Sequence, residues 1–326
     1  MSPRKEPTPR APAKKAPAKK APAKKAPAKK APSKKSPAKK PSTPGPEGSA
    51  ATGTDGGTRR LRGEAYRLAN LETSRFGIVY DIDGPRVRLG ILWFLAALVA
   101  LAVGVVAVSV LVAGIAALAA AQTSQTLRAR WRRPTRAVAA GVAAAIPLAA
   151  LGGLALTGLA VVVGTLVAVI AASARRPRRT DPVVDAAATV RASVFVGLAA
   201  ASIVALYRFD IGAAIVVLVL CSAYETGDYL IGSGASNRVE GPASGILTVV
   251  AVTAAFVVFQ PPPFDAAGLW FYAMLVAVLA PLGQVVASAI LPRAGAPAPA
   301  LRRLDSYVLV GPVWLVLLHS GLGVGV

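Results

Sequence analysis

The sequence predicts an all-α polytopic membrane protein with about nine transmembrane helices, preceded by a disordered tail rich in Lys, Pro and Ala. Three observations support this fold class. Of the 326 residues, 54% are hydrophobic. From residue 89 onward the apolar runs are too long for the core helices of a soluble domain of this size. The formal net charge is +22, and all 13 lysines lie within the first 40 residues. This separation of charge from hydrophobicity excludes a soluble enzyme and a fully disordered protein.

The cationic tail and its linker span residues 1–57. Residues 11–40 form six pentads that end in Lys-Lys, four of them reading Ala-Pro-Ala-Lys-Lys. Proline at every fifth position prevents a helix, so we expect a solvated, extended chain. Such a lysine-rich repeat binds dense polyanions by counterion release. An anionic lipid surface and nucleic acid both meet this requirement as partners, and the tail can also act as a solubilising tether.

Two residue counts limit the possible chemistry. Cys221 is the single cysteine, so an intramolecular disulfide and a cysteine-based zinc site are excluded. His319 is the single histidine, which argues against a histidine metal cluster and against a Ser/His/Asp triad. We interpret both residues as packing or interface residues.

The first membrane region, residues 89–186, follows a cytoplasmic juxtamembrane segment at 58–88. Its two apolar runs, 89–122 and 137–173, are each too long for one span and sufficient for two. We expect the first to turn near Gly104 and the second near the adjacent pair Gly152 and Gly153. The region therefore holds about four spans.

The second membrane region, residues 187–326, holds about five spans. Each is an apolar run close to the length that a bilayer requires. The predicted spans cover 187–207, 211–231, 243–260, 267–290 and 304 to the C-terminus. Among their residues, Gly283 and Ser288 are expected to permit close contact between helices.

Arginine placement predicts the orientation in a cell membrane. Arginine clusters around 86–88, 128–136 and 175–179 bracket the two long runs, so both ends of each run lie on one side. Because positively charged loops are cytoplasmic, the N-terminus is predicted inside and the C-terminus outside. Arg208 alone falls on the wrong side of this assignment.

Acidic residues near membrane depth occur late in the chain, at Glu225, Asp228, Glu240 and Asp305. Glu225 and Asp228 are three positions apart and share a helix face. A carboxylate at the edge of hydrocarbon is costly unless it binds a cation or pairs with a base. Pairing with Arg238 or Arg303 would satisfy the two acids without any catalytic role.

The order of these late motifs resembles the phosphatidate cytidylyltransferase family, also called CDP-diacylglycerol synthases. Residues 225–229 read Glu-Thr-Gly-Asp-Tyr where the family has Asp-Ser/Thr-Gly-Ala-Tyr. Residues 241–245 stand at the family's Ser-Pro-x-Lys-Thr motif, and 283–288 at its Gly-Asp-x-x-Glu-Ser motif. Residues 302–306 read Arg-Arg-Leu-Asp-Ser, where the family has Asp-Arg-x-Asp-Ser before a last span.

The departures from the family pattern affect catalytic positions. The lysine of the second motif is Ser244 in this chain. The Asp and Glu of the third motif are Gln284 and Ala287, and the first Asp of the fourth is Arg302. The Lys-Arg/Lys-Asp and His-Gly-Gly stretches before the last motif are absent.

The resemblance implies a nucleotidyltransferase of phospholipid biosynthesis, which transfers a cytidylyl group from CTP to phosphatidate and releases pyrophosphate. It implies that Glu225 and Asp305 are the catalytic carboxylates, and that Asp228 joins them in holding Mg²⁺. The residues expected to contact cofactor or substrate phosphates are Arg302, Arg303 and Ser306.

Two other functions are open at this point. A noncatalytic relative would keep the lipid-facing fold as a membrane anchor or scaffold, with its tail on anionic lipid or nucleic acid. A transporter would be expected to show broken helices repeated in two halves, and the sequence has no such repeat.

Overall fold

The computed structural model describes residues 86–128, 133–174, 181–233, 237 and 239–321. These residues form nine α-helices and two short 3₁₀ turns, and the described ranges contain no strand. The helices are α1 Arg86–Val103, α2 Val105–Thr126, α3 Arg136–Ala149, α4 Leu154–Ala174, α5 Pro182–Phe209, α6 Ile211–Gly232, α7 Glu240–Phe259, α8 Ala266–Ile290 and α9 Tyr307–His319. The predicted tail, linker and most of the juxtamembrane segment lie outside the described residues.

The two long apolar runs are each divided into two helices where glycines allow it. Gly104 separates α1 from α2 with a φ of 134°, and Gly153 follows the 3₁₀ turn Ala150–Gly152 with a φ of 108°. Both values lie in a region that side chains rarely adopt, so glycine is required at these positions. The turns predicted from the sequence near Gly104 and the Gly152–Gly153 pair are confirmed.

Helix α5 lies at the centre of the bundle. Asp181 caps its first turn by accepting a 2.9 Å hydrogen bond from the Val183 amide, and Pro182 occupies the first helical position. Its most apolar window is 67% buried, because α2, α3, α4 and α9 all pack on it. Small residues permit this density: a Cβ at Gly197 would lie 2.7 Å from Ile146 Cδ1.

Six described helices are long and apolar enough to cross a membrane: α2, α4, α5, α6, α7 and α8. Helices α4 and α7 are only 17% buried in their most apolar windows, and their outer faces carry exposed leucines and valines. Such surfaces are stable in lipid and not in water. The chain is therefore a multi-pass α-helical membrane protein. Three shorter apolar segments, 90–103, 136–152 and 307–319, lie where the sequence predicted three further spans, and the total of nine spans stays a prediction.

Most of the described arginines lie at one end of the bundle, in the α2–α3 loop, the α8–α9 loop and the first half of α5. There, the Arg133 amide donates to Asp185, and Gln122 Oε1 accepts a 2.9 Å hydrogen bond from the Ala300 amide. Arg208 lies at the other end, where its Nη1 donates to the Ala150 carbonyl oxygen at 3.1 Å. We call these the arginine-rich end and the Arg208 end.

Candidate functional site

The candidate site lies at the arginine-rich end, where α6, α8 and the loop between α8 and α9 meet. Helix α6 supplies Glu225 and Asp228, and the loop supplies Arg303 and Asp305. Asp228 and Asp305 are 3% and 4% exposed. The acids from separate motifs are electrostatic neighbours, since Asp305 and Asp228 both act on Glu225, and Asp228 acts on Asp305. The structure thus brings together carboxylates that lie 80 positions apart in the sequence.

Close packing of α6 on α7 fixes the first two acids. A Cβ at Gly245 of α7 would lie 2.7 Å from the Tyr224 ring, and a Cβ at Gly227 of α6 would overlap Thr248. The two helices therefore approach at a distance that only glycine permits. Glu225 and Asp228 flank this contact and turn toward α8 and the loop.

Gly283 fixes the position of the loop. A Cβ on this residue would lie 2.5 Å from the Asp305 carbonyl oxygen and 3.2 Å from the Ser306 carbonyl oxygen. The loop backbone therefore rests directly on α8. The sequence suggested a helix–helix contact at Gly283, and the structure instead shows a helix–loop contact that places Asp305.

Arg302 and Arg303 have different surroundings. Arg302 Nη1 donates to Ser288 Oγ at 2.9 Å, and its Nη2 donates to the Ala294 carbonyl oxygen at 2.7 Å. Its Nη1 also lies 3.6 Å from Asp305 Oδ2. Arg302 therefore ties its own loop to α8 through Ser288. Arg303 makes no such tie in the described structure and lines a pocket.

That pocket is a small cavity of about 100 Å³ with an apolar wall and one polar end. Glu225, Arg303 and Ser222 form the polar end. The apolar wall comes mainly from α1 and α2, and includes Trp93, Phe94, Leu101, Val108 and Leu111. This arrangement suits an amphiphile whose head group carries charge and whose chains are apolar.

Three buried oxygen atoms in this cluster have no hydrogen-bond partner among the described residues: Glu225 Oε1, Gln284 Oε1 and Ser306 Oγ. The Ser306 hydroxyl lies beside the Glu225 carboxylate, although the pair falls short of full hydrogen-bond geometry. A buried acceptor without a partner costs about 1–3 kcal/mol. The described residues thus leave three oxygens in one cluster available to a cation or to a hydrogen-bond donor.

Neighbouring groups partly satisfy the remaining acids. Gln284 Nε2 donates to Asp228 Oδ2 at 3.2 Å, and the Ser306 amide donates to Asp305 Oδ1 at 2.9 Å. Burial raises the pKa of the Asp305 carboxyl, and the Arg302 guanidinium opposes that shift. Glu240, the fourth of the late acidic residues, accepts a 2.6 Å hydrogen bond from Asn237. Arg238, the other arginine predicted to pair with the acids, lies outside the described residues.

Whether these residues fit a metal ion depends on whether the protein supplies all of its ligands or only some of them. No cluster of three or more His, Cys, Asp or Glu in the described ranges is placed to hold a metal, so the protein offers no closed cage there. Mg²⁺ commonly uses one or two carboxylates and completes its shell with water and substrate phosphates. Glu225 and Asp305, with the unpartnered oxygens of Gln284 and Ser306 nearby, fit that second mode.

Sequence reasoning missed two contributors to the site. Gln284 was read as a lost aspartate, yet its amide bonds Asp228 and its oxygen joins the unpartnered cluster. The aromatic wall from α1 was not anticipated, because Trp93 and Phe94 look like ordinary residues of an apolar span. The place of Gln284 within residues 283–288, at the aspartate position of the family's third motif, was the one available signal.

Comparison with known proteins assigns no family, since no protein-family model and no curated protein matches the chain.

Proposed function

We propose that the chain is a phosphatidate cytidylyltransferase-like membrane enzyme, which transfers a cytidylyl group from CTP to phosphatidate to give CDP-diacylglycerol and pyrophosphate. One observation carries this proposal: the Glu225, Gln284 and Ser306 oxygens are buried without partners in the cluster that contains Asp305, and Glu225 also lines the polar end of an apolar pocket. A bound cation and phosphate would satisfy these groups. The motif resemblance supports the same assignment.

The apolar lining of the pocket, with polar residues at one end, supports a phospholipid substrate. Acyl chains would lie along the wall formed by α1 and α2, and the lipid phosphate would lie beside Arg303 at the polar end. A guanidinium offsets the negative charge of a phosphate and can bind two of its oxygens. Transfer requires the lipid phosphate oxygen to attack the α-phosphorus of CTP, with cleavage of the bond to pyrophosphate.

Glu225 and Asp305 would hold Mg²⁺, and the neighbouring Asp228, which accepts a hydrogen bond from Gln284, would add negative charge beside the ion. The ion would offset negative charge on the reacting phosphates. Gly283 and Arg302 keep the Asp305 loop against α8, and thereby keep the two catalytic carboxylates together.

The proposed setting is a cell membrane crossed nine times, with the N-terminus in the cytoplasm and the C-terminus outside. Six of these spans are helices of sufficient length, and the other three would be the shorter segments 90–103, 136–152 and 307–319. The arginine bias supports this orientation, and it places the candidate site on the side where CTP is found.

A noncatalytic lipid-binding relative is the second candidate. Two contacts favour it: Gln284 donates to Asp228, and Arg302 lies 3.6 Å from the Asp305 carboxylate. Both partners reduce the negative charge available to a cation. In this function the pocket holds a phospholipid without reacting, and the tail binds anionic lipid or nucleic acid.

The decisive experiment incubates purified full-length protein with radiolabelled CTP, phosphatidate and Mg²⁺. We expect CDP-diacylglycerol from the unchanged protein and none from Glu225→Gln or Asp305→Asn. Asp265→Asn is the matched control, because Asp265 caps α8 on the Gly268 amide and Asn caps equally well. Activity in either site variant would refute the assigned roles. Phosphatidate binding without transfer by the unchanged protein would support the noncatalytic function.

A second experiment tests the tail. Deletion of residues 1–40 removes all 13 lysines, so binding to DNA and to anionic vesicles should fall sharply and lose most of its salt dependence. Membrane insertion should persist, since the tail has too little apolar surface to bury. Undiminished binding by the deleted chain would show that the tail is not the electrostatic element.

A further inference from the structure

Arg208 is the one arginine that contradicts the charge bias of the loops. It lies in the last turn of α5, away from the arginine-rich end where Arg191 on the same helix bonds the Leu291 carbonyl oxygen at 3.5 Å. Residues 191 and 208 are separated by about 25 Å along a helix axis. An arginine retained at the Arg208 end therefore requires a local explanation.

A cavity of about 330 Å³ surrounds this residue. The end of α5 contributes Ala205, Arg208 and Phe209, the start of α4 contributes Gly153 and Leu154, and α9 contributes His319. Arg208 and His319 are both exposed. The cavity thus opens to the surface with the chain's single histidine and this arginine in its wall.

Backbone contacts hold the Arg208 guanidinium in place and leave donors available. Its Nη1 donates to the Ala150 carbonyl oxygen at 3.1 Å, and an arginine has further N–H groups in the same plane. Gly153 lies against it, because a Cβ there would be in van der Waals contact with Nη1 at 3.4 Å. The guanidinium is therefore oriented before any ligand binds.

His319 is oriented in a similar way. Its Nδ1 lies 2.9 Å from the Leu315 carbonyl oxygen, and its ring stacks at a tilt on Phe209 with centroids 5.3 Å apart. These contacts leave Nε2 as the ring nitrogen for a ligand, and an imidazolium donates a hydrogen bond from that atom.

Dipoles of both signs border the cavity. The C-termini of α5 and α9 carry partial negative charge, which Arg208 in the last turn of α5 offsets. Asp210, two positions after Arg208, uses Oδ1 to accept from the Gly212 amide at 2.6 Å and does not line the cavity. Gly153 and Leu154 place the N-terminus of the 21-residue helix α4 in the cavity wall. Its first amides have no partner within the helix and carry partial positive charge.

We propose that the Arg208–His319 cavity binds a phosphate group, supplied either by free phosphate or by a phospholipid head group in the adjacent leaflet. Arg208 supplies paired donors, as planar recognition of phosphate requires. His319 and the α4 N-terminus surround the same anion. This inference rests on residues outside the candidate site and does not depend on cytidylyl transfer.

The single histidine allows a test that the lysine-rich tail does not disturb. Full-length protein carrying ¹⁵N-labelled histidine, purified in detergent without a histidine tag, gives imidazole signals from His319 alone. Titration with inorganic phosphate at constant ionic strength and pH should shift those signals, and chloride should not. No shift with phosphate, together with no difference between the two nanodisc samples below, would overturn the proposal.

Substitutions at Arg208 test whether phosphate binds in this cavity. In Arg208→Gln the apparent dissociation constant for phosphate should rise at least about tenfold, the loss expected for one charge-assisted contact. Arg208→Lys should show a smaller loss, and it keeps the proposal testable if the glutamine variant does not fold. Arg293→Gln is the control, because Arg293 is an exposed arginine at the other end of the bundle. An equal shift in the unchanged protein and in both Arg208 variants would refute the site.

Nanodiscs distinguish the two sources of phosphate. One sample contains phosphatidylglycerol, and the other contains a galactolipid that lacks phosphate. A His319 shift between these samples, absent in Arg208→Gln, would identify the lipid head group. Identical His319 signals in the two nanodiscs, combined with saturable binding of inorganic phosphate, would identify the soluble anion.

Discussion

The two polar sites of this bundle differ in charge, burial and construction. The acidic cluster of Glu225, Asp228 and Asp305 is largely buried, since Asp228 and Asp305 are 3% and 4% exposed. The Arg208–His319 cavity carries the positive charge of Arg208, and both of these residues are exposed. Side chains from distant motifs build the first site, whereas backbone carbonyl groups orient the residues of the second.

This difference shows how burial determines the partners that a charge needs. A buried carboxylate loses its contacts with water and needs partners within the structure. Gln284 donates a hydrogen bond to Asp228, and Arg302 lies 3.6 Å from Asp305. An exposed guanidinium is already hydrated, so one bond to Ala150 suffices and the rest of the group stays available to a ligand. Ligand binding at the acidic cluster therefore depends on a fixed arrangement of buried groups. Ligand binding in the Arg208–His319 cavity depends mainly on the charge of the ligand.

The largest expected effect concerns the sides of the membrane on which the two ends lie. In a chain without Cys221, Ser320→Cys at the Arg208 end should react with an impermeant maleimide in intact cells. Gly295→Cys, in the loop that carries Arg302, should react only after lysis. Both positions are exposed, so accessibility within the protein does not limit either reaction. Labelling of Gly295→Cys from outside would show that both sites have the opposite orientation.

A second prediction tests whether the contact between the Asp305 loop and α8 stabilises the acidic cluster. Gly283→Ala places a Cβ 2.5 Å from the Asp305 carbonyl oxygen, so the loop must move, and we expect a loss of about 1–3 kcal/mol in the free energy of unfolding. Gly158→Ala is the matched control, because a Cβ there meets nothing within 4 Å.

Thermal unfolding in detergent, followed by circular dichroism, measures both variants. The control should unfold within about 0.5 kcal/mol of the parent, since it adds one methyl group to an open helix surface. Equal stability of the two variants would mean that the Asp305 loop does not rest on α8.

The smallest effect distinguishes the two neighbouring arginines. Arg302→Gln removes bonds to Ser288 and Ala294, and should cost about 1–2 kcal/mol of stability. Arg303→Gln should cost less, yet weaken phosphatidate binding more, because Arg303 lines the pocket. The reverse ranking in unfolding and lipid-binding assays would exchange the roles assigned to these residues.

Much of the fold could be predicted from the sequence because its signals are local. Apolar length located every described helix, and Gly104 with the Gly152–Gly153 pair located the two breaks. The number of membrane crossings cannot be determined from such local signals alone. The segment at 307–319 forms a helix of only 13 residues, so its length alone does not make it a span.

The candidate site was predictable only in part. Order along the chain brought Glu225 and Asp305 into one hypothesis, and the structure makes them neighbours. Their assigned roles as metal ligands, and those of Arg302, Arg303 and Ser306 toward phosphate, stay predictions. The separate environments of Arg302 and Arg303 could not be predicted, since the side chains of adjacent loop residues have no fixed direction until the loop packs.

The sequence by itself determined that this chain is a helical membrane protein, because hydrophobic length and charge placement act through solvent and require no partner residue. Tertiary structure alone decided which polar atoms are satisfied. Glu225, Gln284 and Ser306 keep buried oxygens without partners only because three separate segments converge, and Arg208 shares a cavity with His319 because α5 and α9 end at the same level. Contacts of that kind depend on distances between helices, which the order of residues along one helix does not encode.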